Sequence, residues 1–252
     1  NAQVESEGFD RKNLALPGRQ DELVEAVVAA NPNTIVIVNS GSPVLLPWRN
    51  KVRAVLLTYF AGQEMGNALV DMLTGASEPG GRLPTTWAVA QEDVPVINCQ
   101  HDENNQMFYT EGIHIGYRAW LKAGTQPAYA FGHGLGYTNF EITDLQAPAS
   151  FGAADILQLQ AKVSNTGNRA GKHVVQVYAS RQTSIIDRPV KWLVGFTEVR
   201  LGAGESATVS IPVKAREFAY WGGEWKYEAG EFTIEAGSAI DNLPLSTKVV
   251  LS

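Results

Sequence analysis

What most constrains the fold of this chain is a change of hydrophobic period near Phe140. Before that point apolar residues recur at helical spacing or cluster in short continuous runs; beyond it they alternate with polar ones. A period near 3.6 presents one helix face, and a period of 2 presents one strand face. The two stretches therefore belong to two differently built parts, with the division expected at 1–135 and 136–252.

In the first part, Asp21 to Ala30 reads as a helix with Leu23, Val24, Val27 and Val28 on one face, acids at its start and Asn31-Pro32-Asn33 ending it. Thr34 to Val38 is an almost wholly apolar, β-branched run, the pattern of a strand covered on both faces. Val52 to Tyr59 is a second apolar run, and Gly62 to Leu73 returns to helical spacing with Met65, Leu69 and Met72 on one stripe. Strands joined through helices predict a mostly parallel sheet in an α/β sandwich.

In the second part, Leu157 to Val163 alternates, Asn165-Thr166-Gly167-Asn168 turns, and Val174 to Tyr178 is another strand. Leu201 to Glu205 turns again, Ala207 to Val213 alternates, and Gly230 to Ala236 closes the series. About seven short strands over roughly 110 residues predict an immunoglobulin-like β-sandwich. The glycine-rich Phe131-Gly132-His133-Gly134-Leu135-Gly136-Tyr137 marks the junction.

At 252 residues with 44% hydrophobic content the chain can bury a real core. Its net charge of −6 argues against a nucleic-acid partner, which would require a basic face. No apolar run approaches the ~20 residues of a membrane span. Cys99 stands alone, so no internal disulfide forms, and the compartment is left open. The chain opens on Asn1 with no apolar leader, and is read as a processed form or a portion of something longer.

Chemistry is concentrated near the amino end, where Ser6-Glu7-Gly8-Phe9-Asp10-Arg11 packs two carboxylates and an arginine around a glycine. Glycine beside Glu7 permits a tight backbone path and leaves room for a ligand. An exposed loop carboxylate can protonate a leaving group if its surroundings disfavour its charge. The plainer reading of these residues is a solvated acidic segment. Tyr109 and Glu111 lie on a loop that is a second candidate, for an outer binding site or for a purely structural role. Gln63 and Glu64 read as helix-start residues, Arg82 as a turn residue, and Trp87 and Trp120 as core or stacking aromatics. His101, His114, His133 and His173 are too scattered for a metal site. Asn39-Ser40-Gly41-Ser42 lacks the lysine of a phosphate-binding loop, and no Gly-x-Ser-x-Gly elbow occurs.

Glu7-Gly8-Phe9-Asp10-Arg11 followed by Leu14-Ala15-Leu16-Pro17 resembles the second domain of family 3 glycoside hydrolases of the β-glucosidase type. The similarity runs in order through Gly62-Gln63-Glu64-Met65-Gly66, Pro79-Gly80-Gly81-Arg82-Leu83-Pro84, Tyr109-Thr110-Glu111-Gly112 and the Phe131–Tyr137 glycine motif. It continues through Asn165-Thr166-Gly167 and Arg188-Pro189-Val190-Lys191. The resemblance implies an α/β sandwich followed by a fibronectin type III-like β-sandwich. It also implies a (β/α)8 barrel that carries the nucleophilic aspartate and is absent from these 252 residues. The family's general acid/base glutamate falls on Glu7; Glu5 is a rival that precedes the motif. The substrates implied are oligosaccharides or aryl and alkyl β-glycosides, and no metal or organic cofactor is implied. The alternative of a different class is a non-catalytic carbohydrate-binding or scaffold fragment.

Overall fold

The computed structural model describes residue 4, residues 6–97 and residues 101–252. Glu5 and Cys99, singled out above, lie outside the described residues. The first part contains α1 (Gln20–Ala30), β1 (Ile35–Val38), β2 (Ala54–Leu57), α2 (Met65–Thr74) and α3 (Tyr117–Ala123). β1 and β2 pair in parallel, with Ile35 opposite Ala54 and Val38 opposite Leu57. One face of the pair is packed: Val36, Val38, Val55 and Leu57 join Val24 of α1, Val44, Leu46, Trp48 and Trp87 in a small core. Trp48 is fully buried, and its indole N–H donates to Asp21 Oδ1 at 2.7 Å. That bond satisfies a donor that burial would otherwise strand, and it ties the start of α1 to the β1–β2 connection.

The sequence predicts a β1 covered on both faces, and the structure covers only one. Ile35 and Ile37 are 49% and 41% exposed. The apolar stripe of α1 is likewise only half used. Val24 and Val28 are half-buried, whereas Leu23 and Val27 are 63% and 43% exposed. Met65, Leu69 and Met72 of α2 are all half-buried, as their spacing predicts. Trp87 and Trp120 are core residues.

The second part is a two-layer β-sandwich. Its strands are β3 (Phe140–Gln146), β4 (Ser150–Phe151), β5 (Ile156–Asn165), β6 (Gly171–Ser180), β7 (Trp192–Leu201), β8 (Ser206–Lys214), β11 (Gly230–Gly237) and β12 (Leu245–Leu251). A small hairpin of β9 (Tyr220–Trp221) and β10 (Trp225–Lys226) lies between β8 and β11. One sheet has the order β4-β12-β11-β6-β7 and the other β3-β5-β8. The alternation in β5 works as its sequence predicts: Leu157, Leu159, Ala161 and Val163 are fully buried while Gln158, Gln160 and Lys162 face solvent. From the other sheet Val175, Val177, Phe232 and Ile234 meet them. Each fully buried side chain of this size contributes about 1.5–3 kcal/mol, so the sandwich has the larger core.

The two parts meet along a seam built by the Phe131–Tyr137 motif, and its glycines are there because the approach is close. Gly132 has a φ of +84°, and a Cβ there would lie 2.2 Å from Gln176 Oε1. A Cβ on Gly134 would lie 2.2 Å from the Gly81 carbonyl oxygen, which is backbone and cannot move aside cheaply. Gln176 Nε2 donates to the carbonyls of Gly132 and Ser238, and its Oε1 accepts from the buried Tyr178 hydroxyl. Arg82, expected as a turn residue, donates to the Gly134 carbonyl and, at 3.1 Å, to His173 Nδ1 on β6. Arg169 donates to the Gly75 carbonyl at 2.8 Å just after α2, and Tyr137 donates its hydroxyl to the Met72 carbonyl at 2.7 Å.

Candidate functional site at the carboxyl end of the parallel pair

Open parallel sheets bind ligands outside the carboxyl ends of their strands. In this chain the amino-terminal cluster comes to rest at that rim. Ser6 and Phe9 form an antiparallel bridge, with Ser6 N–H donating to Phe9 O at 2.9 Å, so Glu7 and Gly8 occupy the tip of a tight turn. The Gly8 N–H donates to Ser6 Oγ at 3.1 Å, closing the turn locally. Glu7 is exposed at that tip.

What positions the turn is Arg11. Its guanidinium donates to Ser42 Oγ at 2.8 Å and to the Pro43 carbonyl at 3.2 Å, both in the loop that leaves β1. Three residues on, Leu45 N–H donates to Leu14 O at 2.8 Å and Leu14 N–H to Gln91 Oε1 at 2.9 Å. The segment is therefore stitched to the β1 loop and to the short helical turn at Gln91–Asp93. The loop leaving β2 reaches the same rim. Tyr59 adopts a φ of +49°, an uncommon conformation for a bulky residue and one that clusters at functional sites. Phe60 follows it, largely exposed, and its ring covers Gly41, where a Cβ would come within 2.6 Å of it.

Tyr109 and Glu111 sit on a neighbouring loop. Glu111 lines an open cavity of about 710 Å³ together with Gln91, Glu92, Phe108 and Thr110, a volume in the ordinary range for small-ligand sites. Tyr109 is exposed. The loop is fixed from the β-sandwich side, because the buried His114 places Nε2 at 2.8 Å from Asp187 Oδ2. Among the described residues no hydrogen bond joins Glu7 to Tyr109 or Glu111. Gln91 links the two regions: it holds Leu14 and also lines the cavity. Sequence reasoning missed Gln91, Ser42 and Phe60 as parts of this rim. Ser42 carries a faint signal, since it lies in the turn after a buried strand; nothing marks Gln91.

Away from the rim, a second charged cluster lies where the loop between β6 and β7 meets the segment entering β11. Glu228 is buried and accepts from Ser184 Oγ at 2.7 Å, Ile185 N–H at 2.8 Å and Arg188 Nε at 3.2 Å, with Arg181 at 3.5 Å. Burial raises its carboxyl, but those hydrogen bonds and the Arg181 charge outweigh it and hold the group below the usual carboxylate value. Its partners belong to the loop between β6 and β7, so its role is to fix that loop. No described helix is long and apolar enough to cross a membrane. No described group of three or more His, Cys, Asp or Glu side chains is placed to hold a metal ion.

Comparison with known proteins agrees with this architecture. Residues 1–137 match the glycosyl hydrolase family 3 C-terminal domain, and residues 173–239 match a fibronectin type III-like domain. Thermostable β-glucosidase B of Acetivibrio thermocellus is 38% identical over 251 residues, covering 98% of this chain and 33% of that protein. A β-glucosidase of Kluyveromyces marxianus is 39% identical, covering 98% of this chain and 30% of that protein. Its crystal structure superposes with a TM-score of 0.92 over 100% of this chain at 37% identity, covering 30% of that chain. DesR, a β-glucosidase of Streptomyces venezuelae crystallised with D-glucose, gives a TM-score of 0.93 at 38% identity, covering 98% of this chain and 32% of that one. The chain thus spans roughly a third of the length of the relatives it matches. It belongs to glycosyl hydrolase family 3, as that family's C-terminal domain joined to a fibronectin type III-like domain.

Proposed function

We propose that this chain supplies the general acid/base, Glu7, to a retaining β-glucosidase-type hydrolase whose nucleophilic aspartate lies on a (β/α)8 barrel outside these 252 residues. The substrates are terminal β-linked oligosaccharides or aryl and alkyl β-glycosides. The barrel's carboxylate attacks the anomeric carbon while Glu7 gives its proton to the departing oxygen. Glu7 then takes a proton from the water that releases the covalent sugar. Such a pair works at a separation of about 5–5.5 Å, so docking geometry sets the rate. A placement error of ~1 Å costs about 100-fold.

The observation that carries this reading is the position of Glu7. It stands at the tip of a tight turn, at the carboxyl rim of the parallel pair, on a segment that Arg11 anchors to the β1 loop. An exposed carboxylate needs a wall that excludes water before it works as an acid, and the docked barrel supplies it. The names of the β-glucosidase relatives support the same reaction class. Within this proposal Tyr109 and Glu111 border the outer sugar site, and the working division of the chain is 1–135 and 136–252.

The test is hydrolysis of p-nitrophenyl β-glucoside by the chain alone and by its assembly with a barrel. Activity only in the assembly, lost in Glu7→Gln, supports the proposal. Sugar binding that is indifferent to both the barrel and Glu7→Gln identifies a binding or scaffold fragment instead.

A further inference from the structure

We infer that the small hairpin of β9 and β10 is a sugar-stacking site, separate from the rim, that holds a stretch of a β-linked glucan chain against Trp221 and Trp225. The chain's six tryptophans divide into two groups. Trp48, Trp87, Trp120 and Trp192 are core residues, at most 7% exposed, whereas Trp221 and Trp225 are 64% and 46% exposed. These two lie directly opposite each other in the hairpin register, so their side chains share one face.

The hairpin is held in place before any ligand arrives. β9 and β10 pair with no other described strand, and Gly223, at a φ of +84°, helps close the turn between them. The foot is pinned to the sandwich. The Trp192 indole N–H donates to the Glu217 carbonyl at 2.8 Å, Arg188 Nη1 donates to the Phe218 carbonyl at 3.1 Å, and Phe218 itself is fully buried. The two exposed indoles meet edge to face, with centroids 5.3 Å apart and planes at 70°. The Arg216 guanidinium lies 4.2 Å from the Trp225 centroid, within cation–π range. Rings fixed in this way lower the ordering cost of binding.

Area and chemistry select the occupant. A tryptophan buries about 150–250 Å² when covered, so the exposed parts of the pair offer roughly 200 Å². A stable protein interface takes about 800 Å² per partner. The flanks do not extend the apolar area: Arg216 is exposed, and Glu224 and Lys226 stand 4.0 Å apart in solvent. A β-linked glucose unit has the matching surface. Its equatorial hydroxyls leave axial C–H groups on each face, which the electron-rich face of an indole attracts, and its hydroxyl edge can bond to charged side chains. Because the indole planes cross, the pair fits a single chain in solution and not the flat surface of a crystalline polymer. The choice of a glucan rests on the proposed substrate class; the stacking site does not.

NMR titration of the chain with cellopentaose tests the inference without any hydrolysis. The indole N–H resonances of Trp221 and Trp225 should shift saturably, with half-saturation at about 1 mM or below, while those of Trp48 and Trp87 stay fixed. Trp221→Leu keeps an apolar side chain but removes the ring, and should weaken binding by about tenfold or more; Trp221→Tyr keeps a ring and should stay within about threefold of wild type. Trp221 is mostly exposed, so neither change should move the β5 resonances. Hairpin indoles that do not respond to cellopentaose overturn the inference, as does Trp221→Leu binding as tightly as wild type. Hairpin resonances that shift with protein concentration instead, an effect lost in Trp221→Leu, assign the face to a second copy and overturn it too. The hairpin acts without the barrel and without Glu7. The hydrolysis test of Glu7 is therefore read in Trp221→Leu, where this binding is gone, and either proposal can fail alone.

Discussion

His173 makes the seam between the two parts sensitive to acid, and the size of the effect follows from its surroundings. The ring is buried on β6, stacked on Phe140 with centroids 4.8 Å apart. Arg82 carries only donors, so His173 Nδ1 accepts its 3.1 Å bond and the ring proton sits on Nε2. Protonating Nδ1 would break that bond and bury a cation beside a guanidinium. Burial first, and the Arg82 charge second, push His173 down to about 4 from its ordinary 6.5. The unfolded chain therefore binds the extra proton between pH 6.5 and 4 and the folded chain does not, so stability rises with pH through that window. The contribution is complete above pH 6.5 and falls as pH drops towards 4. A gap of about 2.5 pH units at 1.36 kcal/mol each corresponds to roughly 3 kcal/mol at most. The assay is urea denaturation of the chain and of His173→Gln at pH 4.5, 5.5, 6.5 and 7.5. Carboxylates such as Glu228 change both proteins alike, so the difference between them isolates His173. Wild type should lose roughly 2 kcal/mol more than His173→Gln between pH 6.5 and 4.5. A difference that stays flat with pH, or a His173 ring that titrates by NMR near 6.5, refutes the reasoning.

Other consequences are as specific. Gly134→Ala drives a methyl into the Gly81 carbonyl and should destabilise the seam by about 1–3 kcal/mol in thermal or urea unfolding. Glu228→Gln removes the charge that the buried Arg181 and Arg188 face and should cost about 3–5 kcal/mol in urea denaturation. Asp187→Asn releases the 109–114 loop from the sandwich; exchange at Gly112 and His114 should quicken while overall stability falls by less than about 1 kcal/mol, because Asp187 is itself exposed. Arg11→Ala frees the Glu7 turn from the β1 loop and should lower kcat in the barrel assembly by about 10- to 100-fold with little change in KM.

How much of this was legible beforehand varies with the physics of each region. The β-sandwich was readable because its strands face a core on one side and water on the other, so polarity alternates along β5 and β8. The parallel pair was readable as strands, but its cover was not. An apolar run such as Ile35–Val38 spells two-sided burial, and whether a neighbour is present is not encoded in the run itself. The helix stripe of α1 misled for the same reason, since Leu23 and Val27 are apolar for a contact these residues do not make. Glu7 is singled out as a candidate by a segment in which glycine, acid and arginine are adjacent and which resembles a family motif. The residues that hold it in place, Ser42 and Gln91, act through single hydrogen bonds across 31 and 77 positions of sequence, and no local pattern announces such partners. The seam glycines were visible as a cluster, but their reason, close backbone approach at Gly134, appears only in three dimensions.

The most direct measurement is the behaviour of Glu7→Ala in the barrel assembly with a dinitrophenyl β-glucoside and added azide. A leaving group that departs without a proton does not need the acid, so the account predicts that formation of the covalent sugar proceeds near the wild-type rate. Its release by water slows by at least ~100-fold, and azide restores turnover by forming the β-glucosyl azide. Unimpaired turnover of Glu7→Ala on an unactivated β-glucoside would contradict the account, as would a loss of activity that neither the better leaving group nor azide relieves.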